Sequence, residues 1–340
     1  SLTCGEESSM SQKITECTSL SELQMRPEWE SLIPYLVYSQ NGLGGNLKMN
    51  MSLADIEKMH KTWSAKDMAY GLNRVAEILE SGEKFAYPVY DAASVAEDTE
   101  KGDVQIFHFP AESKQYVILA AGGGYGSVCS LPESFPVAAK LNELGVTVFC
   151  LNYRVGAPKV FPKPMQDLAA ACKYIEAHAD DFQVNAEEYA VGGFSAGGHL
   201  AASWGTKSIG YEVYGCLKPK CMLLDYPLID VWDTLQQMPL PVRIMMVKGY
   251  FGKGNAEEIC KDYEIVRNMD ADYPPTFLIQ AENDSTVPIS NSDNMKNQLA
   301  ALGIAYEYER IKTGEHGFGL GTSTEAEGWV ERALRFWKHL

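Results

Sequence analysis

Tyr189-Ala-Val-Gly-Gly-Phe-Ser-Ala-Gly-Gly-His199 is the stretch on which the reading of this chain turns. A short apolar run over 189–191 leads into Gly193-Phe-Ser195-Ala-Gly197, and a small-residue segment over 200–204 follows. That succession predicts a strand, a sharp turn and a helix. G-x-S-x-G in such a setting is a nucleophile elbow. The glycines are needed because the serine sits in a strained turn, where neighbouring side chains would clash with strand and helix. The turn lifts the hydroxyl above the sheet edge, and the helix that starts there aims its positive end at developing negative charge. A bare G-x-S-x-G also occurs in ordinary loops, so its weight depends on these flanks and on partners elsewhere in the chain.

Bulk properties narrow the class. A chain of 340 residues with 46% hydrophobic content is long for one domain but suits a large α/β domain. The net charge of −16 argues against nucleic acid and anionic membrane surfaces as partners. No apolar run approaches a membrane span. The eight cysteines, Cys4, Cys17, Cys129, Cys150, Cys172, Cys216, Cys221 and Cys260, are scattered, several in apolar segments. No C-x-x-C occurs and the spacing does not suit zinc. Free thiols in a reducing, cytoplasmic compartment are the simplest reading, with a Cys216–Cys221 pair as a minor alternative. The chain starts at Ser1 without methionine, so a missing leader or tag, or a lipid anchor at Cys4, stays open.

Around the elbow the chain reads as alternating strands and helices. Residues 1–18 are polar and suggest a loose arm. Ser52 and Ser64, each followed three residues on by an aspartate, predict helix starts. Helical spacing of Met68, Leu72, Val75 and Leu79 supports the second helix. Strands are expected at 85–90, 104–109, 116–121, 146–152, 221–226, 276–280 and 306–311, besides the elbow strand. Helices are expected at 136–144, 165–179, 291–302 and 324–339. The stretch 229–271 reads as irregular and aromatic. Such alternation means a mostly parallel central sheet flanked by helices. The expected organisation is an N-terminal arm and helical extension over 1–84 packing on a catalytic domain over 85–340, with a cap-like insertion at 231–272. The extension is expected to pack on the sheet; the sharper alternative puts Trp29, Tyr35, Tyr38 or Trp63 in a substrate cleft.

An activated serine needs a base, and the base needs a carboxylate to orient it. Of the six histidines, His316 lies in a glycine-flanked loop after the last strand, where such a sheet presents catalytic groups. His199 is on the elbow helix and reads as structural. His60, His108, His178 and His339 read as surface or packing residues. Asp284 follows a strand and precedes a helix, with Glu282 as the fallback acid. The order Ser195, Asp284, His316 is the one an α/β-hydrolase requires. Gly122-Gly-Gly-Tyr125 after an early strand supplies backbone N–H donors for an oxyanion, assigned to Gly123, Gly124 and Ala196. A phosphate loop is the other reading of these glycines. It fails because no lysine follows and the dinucleotide spacing is absent.

Together these pieces resemble a known family. Gly122-Gly-Gly-Tyr125, Asn152-Tyr-Arg154, Gly193-Phe-Ser-Ala-Gly-Gly-His-Leu200, Pro274-Pro-Thr-Phe-Leu278, Asp284-Ser-Thr-Val-Pro288, His316-Gly-Phe-Gly-Leu320 and Glu327-Gly-Trp329 are similar to α/β-hydrolase esterases related to acetylxylan and feruloyl esterases and to hormone-sensitive-lipase-like carboxylesterases. The resemblance implies Ser195, Asp284 and His316 as the triad. The family usually carries a histidine before the three glycines, where this chain has Ala121. It also implies a small ester as partner, of short acyl or aromatic type, on fragments of plant polysaccharide. No metal or organic cofactor is required. Tyr125, Phe194, Trp232, Tyr250, Phe251 and Phe318 are the candidate pocket wall. An amide or peptide hydrolase on the same triad, a non-catalytic binding protein on the same scaffold, and a homo-oligomer all remain open.

Overall fold

The computed structural model describes residues 12–340. Residues 1–11, with Cys4 and most of the expected arm, lie outside them. The rest of that arm is not loose. Ile14 is buried, its N–H donates to Asn73 Oδ1 at 2.9 Å and its carbonyl accepts from Asn73 Nδ2 at 2.8 Å.

Eight strands form one sheet: β1 (Ala86–Pro88), β2 (Gln105–Phe109), β3 (Tyr116–Ala120), β4 (Thr147–Asn152), β5 (Tyr189–Phe194), β6 (Cys221–Asp225), β7 (Thr276–Ala281) and β8 (Tyr306–Ile311). Their order across the sheet is β8-β7-β6-β5-β3-β4-β2-β1. All neighbours are parallel from β8 to β4, and β2 runs antiparallel to both β4 and β1. Strands β3, β4, β5, β6 and β7 are buried along their whole length. That is why they read as continuous apolar runs rather than alternating ones: helices cover both faces.

Alternate residues of each strand feed two cores. Val117, Leu119, Val148 and Cys150 face one side; Ile118, Ala120, Phe149 and Leu151 face the other. On the first side lie α1 (Leu53–Met59) and α2 (Ala65–Glu80), then α3 (Ser134–Glu143). On the second lie α4 (Lys163–Ala177), α5 (Ala196–Trp204), α6 (Val231–Gln236), α7 (Leu240–Phe251), α8 (Ala256–Lys261), α9 (Ile265–Asn268) and α10 (Ser290–Ala301). The closing helix α11 (Trp329–Lys338) returns to the first side.

The N-terminal segment belongs to that first core. Met68, Leu72 and Val75 of α2 are fully buried in it, each worth roughly 1.5–3 kcal/mol. At α1 both halves of the capping box form: Ser52 Oγ accepts from Asp55 N (3.1 Å) and Asp55 Oδ2 from Ser52 N (2.9 Å). At α2 only half forms. Ser64 Oγ accepts from Asp67 N, but the Asp67 carboxylate turns away and accepts from Thr322 N at 3.2 Å. The N-terminal segment is thereby tied to the loop that follows His316.

Two expected outlines change. The stretch 229–271 is not irregular, since α6 to α9 occupy most of it. Helix α7 hid its period because its apolar residues point both ways: Leu240, Ile244 and Met245 are exposed while Tyr250 and Phe251 are buried. The closing helix starts at Trp329, because Gly328 sits in the left-handed region at φ 84°.

Candidate active site

Ser195 stands between the end of β5 and the start of α5. Its backbone adopts φ 55° and ψ −119°, a conformation that costs a residue with a side chain about 1–3 kcal/mol. A Cβ on Gly193 would lie 2.1 Å from the Gly197 carbonyl oxygen, and one on Gly197 would lie 2.1 Å from that of Ala120. Only glycine fits at either flank. The turn is fastened by the Ser195 N–H donating to the Asp225 carbonyl (3.1 Å) and the Leu228 N–H donating to the Ser195 carbonyl (3.0 Å).

The loop after β8 carries His316 over this turn. Its Nε2 is 2.8 Å from Ser195 Oγ and its Nδ1 is 2.7 Å from Asp284 Oδ2. An ionised carboxylate only accepts, so Nδ1 carries the proton and Nε2 faces the serine as an acceptor. The Asp284 side chain is fully buried. Its Oδ1 accepts from Thr286 N (2.9 Å) and Val287 N (2.8 Å), and its Oδ2 also from Gln280 Nε2 (3.2 Å). Glu315 joins the two loops: its Oε1 accepts from Ser285 N and Ser285 Oγ, both at 2.7 Å, and from His316 N at 3.0 Å. The fallback acid Glu282 takes no part in this array; it pairs at the surface with Arg310 at 2.5 Å.

The glycines after β3 are held by their other backbone groups. Gly122 N–H donates to Glu133 Oε1 (2.9 Å), and Gly122 O accepts from Cys129 N (2.9 Å). Gly123 O accepts from Gly126 N and Ser127 N, and Gly124 O from the Tyr250 hydroxyl (2.7 Å). The N–H groups of Gly123 and Gly124 are left without an acceptor among the described residues, as is that of Ala196 in the first turn of α5. His199 is on the far side of that helix. It is fully buried, its Nδ1 is 2.7 Å from the Tyr125 hydroxyl and its Nε2 is 2.8 Å from the Tyr263 carbonyl. Burial holds its pKa down to about 4.

A cavity of about 250 Å³ opens over Ser195, Gly123, Gly124, Ala196 and His316. Of the six aromatic residues expected on its wall, Tyr250 lines it. The other five pack behind it. Tyr125 is spoken for by His199, and Phe251 stacks on Phe161. Phe194 lies beneath the elbow against Tyr226 and Trp329, Phe318 meets Tyr226 edge-on, and Trp232 is packed against the second core. The wall instead includes Thr234 and Leu235 of α6, Met238, Met246 of α7, Trp63 and Glu133. Trp63 was visible as an aromatic candidate in the N-terminal segment. Nothing in the sequence marks Glu133, whose partners lie far off along the chain. A larger depression of about 790 Å³, lined by Asn73, Arg74 and Asn142 among others, shares no residue with this cavity.

Six cysteines are free thiols, Cys216 and Cys221 among them. Cys17 is disulfide-bonded, which corrects the reading of the cysteines as free thiols and removes that support for a reducing compartment. Scattered cysteines without a spacing motif do not reveal their pairing in sequence. Among the described residues no helix is long and apolar enough to cross a membrane, and no group of three or more His, Cys, Asp or Glu side chains is placed to hold a metal ion.

A mostly parallel eight-stranded sheet with an antiparallel second strand, and a strained serine between its fifth strand and the following helix, is the architecture of an α/β-hydrolase. The family model described as BD-FAE matches residues 104–299, more than half of the chain, and the protein belongs to that family. Among curated relatives, the endo-1,4-beta-xylanase B of Butyrivibrio fibrisolvens is 24% identical over 222 residues, covering 63% of this chain and 34% of that protein. The acetylxylan esterase of Xylanibacter ruminicola is 25% identical over 229 residues, covering 66% of this chain and 45% of that protein. The chain thus spans a third to about half of the length of these two. The acetyl ester-xyloside bifunctional hydrolase from Caldicellulosiruptor lactoaceticus superposes with a TM-score of 0.64 at 23% identity, over 75% of this chain and 95% of that one; at that identity the likeness speaks to the fold.

Proposed function

We propose that the protein is a serine carboxylic-ester hydrolase that works through an acyl-enzyme. The observation that carries this is the single imidazole of His316, in hydrogen-bond contact with Ser195 Oγ at 2.8 Å and Asp284 Oδ2 at 2.7 Å. His316 Nε2 takes the hydroxyl proton as Ser195 Oγ attacks the ester carbonyl. Asp284 holds the tautomer and stabilises the imidazolium that forms. The carbonyl oxygen becomes an oxyanion and is met by the unengaged N–H groups of Gly123, Gly124 and Ala196, each worth on the order of 10²–10³ in rate. The imidazolium then protonates the leaving alcohol. Water, activated by the same imidazole, attacks the acyl-enzyme and releases the acid.

The substrate class we assign is a short acyl ester, of acetyl type or aromatic, on a polysaccharide fragment. Support comes from the small cavity and from the relative named acetylxylan esterase. The test is hydrolysis of p-nitrophenyl acetate, butyrate and octanoate by wild type and Ser195→Ala. Turnover that falls off with chain length and vanishes in the variant is expected. A folded wild type inactive on every ester overturns the reading and favours an amide hydrolase or a non-catalytic scaffold.

A further inference from the structure

Glu133 is a carboxylic acid in the wall of the catalytic cavity, and the mechanism above gives it no step. It is buried at the N-terminus of α3, yet its side chain does not cap that helix. It reaches out of the helix instead. Oε1 accepts from Gly122 N at 2.9 Å, and Oε2 accepts from the Tyr226 hydroxyl at 2.5 Å. The Tyr226 hydroxyl in turn accepts from Gly319 N at 3.0 Å. Tyr226 is itself wholly buried and held at a positive φ of 38°. Its ring lies 4.8 Å from that of His316 and 4.9 Å from that of Phe318.

The result is an unbroken buried path, Gly122 N–H to Glu133 to Tyr226 hydroxyl to Gly319 N–H. One end is the glycine directly before the two free oxyanion donors. The other is in the loop of the base, three residues past His316. The two loops leave the sheet from β3 and β8, on opposite sides of the elbow strand, and besides this path Gly319 packs closely on the Pro132 carbonyl.

We infer that Glu133 and Tyr226 are positioning residues that fix the oxyanion N–H groups and the His316 imidazole in one rigid frame around Ser195. Burying a carboxyl group is costly unless its oxygens are hydrogen-bonded, and here both are engaged. Burial pushes the Glu133 carboxyl above its usual range, against the pull of its two donors. The Gly122 N–H lies in the peptide that precedes Gly122, so Glu133 fixes the entry to the loop, and the next peptide plane, which carries the Gly123 N–H, is held by Gly122 O accepting from Cys129 N at 2.9 Å. The Gly123 N–H then points at the site of the developing oxyanion before substrate arrives. Donors aimed in advance act mainly on the transition state.

This inference rests on the ester-hydrolase reading, and its test separates the two. Wild type, Glu133→Gln, Glu133→Ala and Tyr226→Phe are assayed on p-nitrophenyl acetate. Rates are normalised to sites titrated with a fluorophosphonate, and melting temperature is followed in parallel. Glu133→Ala is expected to lower kcat per titrated site by about 10²-fold with KM within about twofold, the signature of an interaction made in the transition state. Tyr226→Phe, which keeps the ring packing, is expected to lower it by about tenfold. Glu133→Gln keeps an oxygen for Gly122 N–H and is expected to recover most of the loss. If Glu133→Ala does not fold, the other two variants carry the test. A kcat per titrated site within twofold of wild type in Tyr226→Phe and, where it folds, in Glu133→Ala overturns the inference, even if fewer sites titrate or the melting temperature drops. Wild-type protein that neither labels nor hydrolyses the ester overturns the hydrolase reading itself, and the inference with it.

Discussion

The indole of Trp63 stacks on the imidazole of His60, with ring centroids 3.8 Å apart and planes 15° from parallel. His60 is anchored in turn by a contact of 2.6 Å between Nε2 and the Gly45 carbonyl. Trp63 lines the catalytic cavity but comes from a segment outside the family match of 104–299. The N-terminal segment therefore supplies part of the wall, braced from behind by its own histidine. Trp63→Ala should lower kcat/KM on p-nitrophenyl acetate about fivefold to tenfold, given about 1 kcal/mol or more for a lost aromatic contact. Trp63→Phe should retain most of the activity. Steady-state kinetics unchanged in the alanine variant would rule the N-terminal segment out of substrate contact.

Asp284 and Glu282 are two residues apart, and only one faces the histidine. In the proposed mechanism Asp284→Asn removes the charge that holds the imidazolium, so kcat should fall by about 10³–10⁴. Labelling by a fluorophosphonate should slow with it. Glu282→Gln breaks only the exposed pair with Arg310, and surface pairs are worth about 0–1 kcal/mol. Its rate should stay within about twofold. The opposite ranking of the two variants would mean that the acid has been misassigned.

The legible parts of this protein are those whose chemistry is local. The elbow could be read because Gly193 and Gly197 are excluded from having side chains by contacts within a few residues or with the adjacent strand. Asp284 and His316 could be read because each follows a strand directly. The pocket wall was legible at Tyr250 and, as an alternative, at Trp63, but not beyond them. Tyr125, Phe194, Phe251 and Phe318 look like wall residues in sequence, but an aromatic ring gains as much by packing into the core, which is where they went. Glu133 could not be read at all. Its partners Gly122 and Tyr226 lie 11 and 93 residues away, and a lone glutamate before a helix looks like an ordinary capping residue.

The proposed acyl site can be tested at α7. Met246 lines the cavity while its neighbour Met245 is exposed to solvent. Met246→Ala should open room for a longer acyl chain. Each further methylene buried is worth about 0.8 kcal/mol, or a factor of about 4 in kcat/KM. The ratio of butyrate to acetate turnover should therefore rise by about that factor or more, while Met245→Ala leaves it unchanged. Parallel profiles in both variants would place the acyl group elsewhere in the cavity.

His199 makes a prediction about stability rather than rate. The neutral imidazole is fully satisfied: Nδ1 accepts from the Tyr125 hydroxyl and Nε2–H donates to the Tyr263 carbonyl. A second proton would put a desolvated charge in the core, and burial accordingly lowers the pKa from 6.5 to about 4, against a smaller opposing effect of the Tyr263 carbonyl. The unfolded chain titrates near the ordinary value. Between pH 6.5 and 4 the unfolded state therefore binds a proton that the native state refuses. The stability contributed by neutral His199 is complete above pH 6.5 and is lost as the pH falls toward 4, by about 3 kcal/mol across the window. His108, half-buried with a pKa lowered by desolvation, adds a fall of the same sign, and buried acids such as Asp225, raised by burial, act in the opposite sense. Both are common to the wild type and a His199 variant, so the difference between the two proteins isolates His199. Glutamine can accept from Tyr125 and donate to Tyr263 but cannot gain a proton in this range. His199→Gln should be less stable than wild type at pH 7, by about 1–2 kcal/mol. Its urea midpoint should then fall less steeply on acidification, so the gap narrows or reverses by pH 4.5. Urea unfolding at pH 7, 6, 5 and 4.5 measures this directly, and curves that stay parallel would show that His199 is already able to take up a proton in the folded protein.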